Sequence, residues 1–159
     1  HYNGFSMGRA PVVIYNYGSG NLKQLKKTVR ICFSFIAGIS IFVFLFSLLG
    51  GESIAKVFAE NNRNVFEITK NGFSIFSFSF LFSGCNIFSS ALFTALSNGK
   101  ASATISFLRT FGFIMVFLLA LPRFLEVTGV WLAVPFAELL TLMLTVYLLC
   151  RHRKQYNYF

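Results

Sequence analysis

Glu138 is the residue in this chain whose type and position most directly imply chemistry, because it lies about midway along a long apolar run, residues 127–150. If that run crosses a lipid bilayer, a charged side chain at its middle costs about 3 kcal/mol or more unless it is paired, hydrated or protonated. Burial favours the neutral form of a carboxylic acid, which suits a carrier of protons or cations. On a helix, Trp131, Glu138, Thr141 and Thr145 fall on one face, so a polar stripe runs on from the acid. Pro135 lies one turn before Glu138 and removes a backbone hydrogen bond to the Trp131 carbonyl, which predicts a helix kink beside the acid. Intramembrane acids default to function; the competing reading is a structural carboxylate held by a neighbouring arginine.

Arg109 and Arg9 are the candidate partners. At 1.5 Å rise per residue from the basic ends of their runs, Arg109 lies about 12 Å deep, Arg9 about 20 Å and Glu138 about 18 Å. An extended Arg109 can bridge the offset of roughly 6 Å, and buried charge is expected to be paired. A second polar stripe comprises Ser79, Ser83, Asn86, Ser90 and Thr94, whose spacing places them on one helical face. It either borders an aqueous cavity or hydrogen-bonds to a neighbouring helix. Trp131 and Tyr147, near opposite ends of the last run, read as interfacial anchors. No Ser/His/Asp set, paired carboxylates or phosphate loop is visible, so the chain is not expected to be an enzyme. His1 and His152 lie at the two ends with no ligands arranged around them, and no metal site is expected.

The elements that position these residues follow from composition. Of 159 residues, 55% are hydrophobic and 12% charged, with 22 Phe. Soluble domains carry about 25% charged residues, and so short a chain has too little interior to hide this much apolar surface from water. The runs 31–49, 71–97, 102–122 and 127–150 are each long enough to span a bilayer, which takes about 20 residues. Residues 4–18 read as the exit half of a further helix, with a GxxxG pair at Gly4 and Gly8 for close packing. The expected fold class is an all-α membrane bundle, a single domain made of one partial and four full transmembrane helices. FSIFSFSFLF within 71–97 alternates like a strand, but its uninterrupted length favours helix over a barrel strand of about 10 residues.

Orientation follows from the net charge of +9. If the helices alternate, Lys23, Lys26, Lys27, Arg30, Lys100, Arg151, Arg153 and Lys154 share one side with no acid. On the other side Lys56, Arg63, Lys70 and Arg123 are balanced by Glu52, Glu60, Glu67 and Glu126. The positive-inside bias then places the basic side and the C-terminus in the cytoplasm. Within the polar segment 50–70, Ile54, Val57 and Phe58 have helical spacing and predict a short amphipathic helix lying on the outer face. Basic residues confined to the gaps between apolar runs argue against nucleic-acid binding. Cys32, Cys85 and Cys150 are odd in number and widely spaced, so they read as small apolar packing residues. The chain opens inside an apolar run, and a missing N-terminal portion is expected.

Residues 4–20, GFSMGRAPVVIYNYGSG, resemble the second helix of the C-terminal lobe in the multidrug and toxic compound extrusion (MATE) family. TALSNGKASATISFLR, ending in Arg109, is similar to that family's approach to the eleventh helix. LPRFLEVTGVWLAVPFAE, with Gly129, Trp131, Pro135 and Glu138, is similar to the approach to the twelfth. The resemblance implies the eighth to twelfth helices of a twelve-helix exporter that exchanges Na⁺ or H⁺ for amphiphilic, often cationic, compounds by alternating access. It implies no cofactor beyond the coupling ion. The partners it implies are the lipid bilayer, the missing N-terminal lobe and small amphiphilic or cationic substrates, at the cell's inner membrane. It adds Tyr15 and Asn16 to the pathway formed by Glu138, Asn86, Arg109, Arg9, Ser83, Ser90 and Thr141, with kinks at Pro11 and Pro135. Where one branch of the family places a cation-binding Asp in the tenth helix, the run 71–97 has none. Two alternatives carry different expectations. A lipid-linked oligosaccharide flippase of the same superfamily needs several cations around its cavity, and a non-transporting scaffold needs no coupling acid.

Overall fold

A computed structural model describes residues 13–59 and 63–156, and among them every regular element is helical. The helix α1 is described over 13–18, followed by α2 (Leu22–Ala59), α3 (Arg63–Ser77) and α4 (Ser79–Ala95). Next come α5 (Gly99–Phe107), a π-helical stretch (Leu108–Gly112), α6 (Phe113–Ala120) and α7 (Pro122–Tyr156). Only Phe78 separates α3 from α4, and its backbone stays near helical values (φ −60°, ψ −27°). Four spans long and apolar enough to cross a membrane result: Leu22–Lys56, Arg63–Ala95, Gly99–Ala120 and Pro122–Tyr156. The runs 31–49 and 71–97 overlap the first two, and 102–122 and 127–150 the last two. Their surfaces carry large apolar side chains in the open, among them Phe42, Phe46, Leu49, Val116 and Leu119. Such a surface is costly in water and neutral in hydrocarbon.

Between the first two spans the structure departs from expectation. Residues 50–59 form no separate surface helix; α2 continues through Gly50 and Gly51 to Ala59. The glycines weaken a helix by only about 1 kcal/mol each. Gly51 also makes room for a neighbour, because a Cβ there would stand 2.9 Å from Phe73 Cδ1 of α3. Glu52 then ties the two helices, bonded to Lys56 and to Lys70 at 3.1 Å each. Ile54 is exposed on this extension; the side chains of Val57 and Phe58 lie outside the described residues.

Two turns are built the same way. The N–H of Asn21 bonds to Asn16 O and that of Gly20 to Tyr17 O, with Gly20 at φ 69°. This is a Schellman end, in which the left-handed residue suits glycine. After α4 the pattern recurs, Asn98 to Phe93 O and Ser97 to Thr94 O, with Ser97 at φ 59°. Asn98 then caps α5 by accepting from the Ala101 N–H at 3.1 Å. At the other end of the bundle α7 breaks at Glu126 (φ 48°, ψ −130°), and Gly129 lets the Leu121 backbone approach α7 where any Cβ would overlap it.

Leu25, Val29, Leu92, Phe93, Ile105 and Leu149 form the main buried cluster, with Val13 of α1 and Tyr156. It gathers the start of α2, the end of α4, the start of α5 and the end of α7 at one end of the bundle. The eight basic residues that the sequence assigned to one side therefore do share an end. Trp131 is half-buried, its indole lying over Gly72 of α3, where a Cβ would collide with the ring. The glycine is thus a seat for the tryptophan.

Candidate functional site

Three helical elements converge on Glu138. The residue is 4% exposed. Arg109 Nε donates to Oε1 at 2.8 Å, and Asn86 Nδ2 donates to Oε2 at 2.8 Å and to the Glu138 main-chain oxygen at 2.9 Å. Both carboxylate oxygens therefore accept a hydrogen bond, one of them from a cation, the arrangement that offsets burial of a charge. Asn86 is fully buried, and its Oδ1 receives no hydrogen bond among the described residues. The sequence offered Arg109 and Arg9 as partners for Glu138; the structure brings Arg109, and Arg9 lies outside the described residues, as does Pro11.

Backbone irregularities aim two of these groups. Arg109 lies in the π-helical stretch, which closes with Phe113 N–H bonded to Leu108 O, five residues back. The extra residue in that turn offsets the side chains on either side of it, and such turns recur at functional sites. Pro135 is buried inside α7 one turn before Glu138. Having no N–H, it leaves a gap in the helix ladder beside the acid.

Next to this node a polar cavity of about 360 Å³ opens between α4 and α5, bordered by Asn86, Ser90, Thr94, Ser102, Ser106 and Arg109. Its hydroxyls are linked across the two helices. Ser90 Oγ lies 3.0 Å from Ser102 Oγ and 2.8 Å from Ser106 Oγ, and Thr94 Oγ1 lies 2.7 Å from Ser102 Oγ. The polar stripe on α4 thus both hydrogen-bonds to a neighbouring helix and borders a cavity. Arg109 joins the two features: its side chain is 26% exposed, facing the cavity while bonded to the acid.

Other candidates lie elsewhere. Ser83 is buried within α4 and does not border the cavity. Thr141 is fully buried and spends its hydroxyl on the Ala137 carbonyl at 2.7 Å, within its own helix. Tyr15 and Asn16 lie in the last turn of α1, Tyr15 largely exposed and Asn16 supplying carbonyl acceptors for the turn. Ser102 and Ser106 were not singled out from the sequence. Their spacing ahead of Arg109, four and then three residues, was the available signal, since it aligns all three on one helical face.

Comparison with known proteins bears on this arrangement in two ways. A family model described as MatE matches residues 2–120. The fold is similar to the crystal structure of the Vibrio cholerae MATE transporter VcmN in the bent form, with a TM-score of 0.76 and 19% identity. That match covers 93% of this chain and 34% of the transporter, so the chain spans about a third of its length. A search of curated proteins gave no match.

Proposed function

Since the chain belongs to the MATE family, we propose that it is part of a multidrug efflux antiporter exchanging Na⁺ or H⁺ for amphiphilic or cationic compounds by alternating access. The observation that carries the reading is the buried Glu138 carboxylate, held by Arg109 and Asn86 at the edge of a polar cavity. A proton or Na⁺ reaching Glu138 competes with Arg109 for the same oxygens. Occupancy by the ion then loosens the tie between α7 and the π-helical stretch, and departure of the ion restores it. Asn86 Oδ1, buried and without a donor among the described residues, supports such an arrival because it offers a further oxygen to a cation. In this reading the basic end of the bundle faces the cytoplasm.

The flippase alternative gains less support. Arg109 is the one cation bordering the cavity among the described residues, and it is already bonded to Glu138. The scaffold alternative predicts no consequence for ion-driven activity when Glu138 is neutralised. In cells making the full-length protein, efflux of a fluorescent cationic dye should depend on external pH or Na⁺, and Glu138→Gln should abolish that dependence. Efflux and ion dependence left intact by Glu138→Gln would remove the coupling role.

A further inference from the structure

The polar stripe of α7 does not end at its acid. Glu138, Thr141 and Thr145 are all buried, and their spacing keeps them on one face of the helix. Against this face α4 buries Asn86 and Ser89, each completely. Two contacts fix how the helices meet. One is Asn86 on Glu138; the other, nearer the basic end, is Phe93 on His152, with ring centroids 5.6 Å apart. Ser89 on α4 and Thr145 on α7 lie between these two contacts, at helical spacing that puts them on the faces that make the contacts.

Three buried side-chain atoms along this seam have no hydrogen-bond partner among the described residues: Asn86 Oδ1, Ser89 Oγ and Thr145 Oγ1. A hydroxyl on a helix can satisfy itself on the carbonyl one turn back, and Ser77, Thr104 and Thr141 do so here at 2.7, 2.9 and 2.7 Å. Ser89 and Thr145 do not. A buried polar atom without a partner costs stability, and bridging water is what removes that cost in a polar site. One turn nearer the basic end, Leu92 and Phe93 of α4 and Leu149 of α7 belong to the main buried cluster. The polar seam is therefore shut toward the basic end, while Arg109 connects Glu138 to the cavity on the other side. An ion site reached from one direction at a time is what alternating access requires.

We propose that the seam between α4 and α7 is the exit path of a coupling proton, carried from Glu138 toward the basic end by water held on Asn86, Ser89 and Thr145. The inference rests on the coupling role given to Glu138 above and names its ion. The Oε–H bond of Glu138 breaks, the carboxylate takes back its hydrogen bond from Arg109, and the proton passes to the nearest water. Each water accepts one proton and hands on another, and the last is released to solvent when the apolar residues part. Thr145 stands seven residues from Glu138, about 10 Å along the helix axis, a gap that hydroxyls and a short file of water bridge. A proton moves by exchange of hydrogen bonds, so the seam needs no bore wide enough for Na⁺ with its shell of oxygens. Polar side chains buried within spans serve as such relays. Ser89 and Thr145 are positioning residues: they hold the water and take no charge.

The test uses the full-length protein in proteoliposomes, with a cationic dye and an imposed proton gradient. The wild type should move the dye. Thr145→Val and Ser89→Ala, which delete a hydroxyl with little change of shape, should lose most of that rate while binding the dye as before. Thr145→Ser, which keeps the hydroxyl, should keep the rate. Because neither deleted hydroxyl has a protein partner, the thermal midpoints of Thr145→Val and Ser89→Ala should be unchanged or raised. Wild-type rates in Thr145→Val and Ser89→Ala overturn the path. So does a loss that Thr145→Ser shares, or a lowered midpoint, which would mark the hydroxyl as structural. Glu138→Gln separates this failure from that of the coupling role: if it still abolishes ion-driven transport, the role of Glu138 stands and the path alone falls. Transport driven by a Na⁺ gradient and not by protons has the same consequence, and transport driven by neither overturns both.

Discussion

Glu138 is held at both carboxylate oxygens, and its two neighbours contribute differently. Arg109→Gln leaves a buried carboxylate without its counter-charge and should lower stability by about 3 kcal/mol. Combining it with Glu138→Gln should restore most of that loss, since no unpaired charge then remains; thermal unfolding in detergent of both single variants and the double reads the coupling directly. Asn86→Ala removes two hydrogen bonds to the same residue and should cost about 1–2 kcal/mol. A loss below a few tenths of a kcal/mol would show that the amide is idle. The residues of this node were legible in the sequence by type, because an acid, an arginine and an asparagine inside apolar runs must find partners. That Asn86 meets Glu138 was not legible: the two lie 52 residues apart, on helices whose pairing no local pattern specifies. The Thr141 hydroxyl shows the opposite limit. Helical spacing placed it on the face of Glu138, but a hydroxyl on a helix can turn back to its own backbone, and here it does.

At the scale of elements, the apolar runs located each span because length and lack of charge are what hydrocarbon selects. Their joints were harder to read. The extension of α2 to Ala59 rests on Phe73 settling against Gly51 and on Glu52 reaching Lys70, contacts between helices rather than within one. The π-helical stretch around Arg109 has no proline to announce it. Two substitutions test the joints. Ser97 is a non-glycine residue in the left-handed region, a conformation that costs an L-residue about 1 kcal/mol. Ser97→Gly should therefore raise the thermal midpoint by a few degrees, and a lowered midpoint would contradict the Schellman assignment. Gly72→Ala drives a methyl group into the Trp131 indole and should cost about 1–3 kcal/mol. If it is silent, Trp131 is not seated on α3.

As a whole, the described bundle is apolar around its girth and basic at one end. Gln155 is exposed at that end. In a full-length protein otherwise free of cysteine, Gln155→Cys should react with a membrane-impermeant maleimide only from the cytoplasmic side of sealed vesicles. Labelling from the opposite side would invert the orientation. The most direct measurement of ion coupling is transport by the full-length protein in proteoliposomes under an imposed Na⁺ or proton gradient. A coupling role for Glu138 predicts gradient-driven movement of a cationic dye by the wild type and loss of nearly all of that rate in Glu138→Gln, because an intramembrane acid required for the ion has been removed. Gradient-driven transport at the wild-type rate in Glu138→Gln would contradict it.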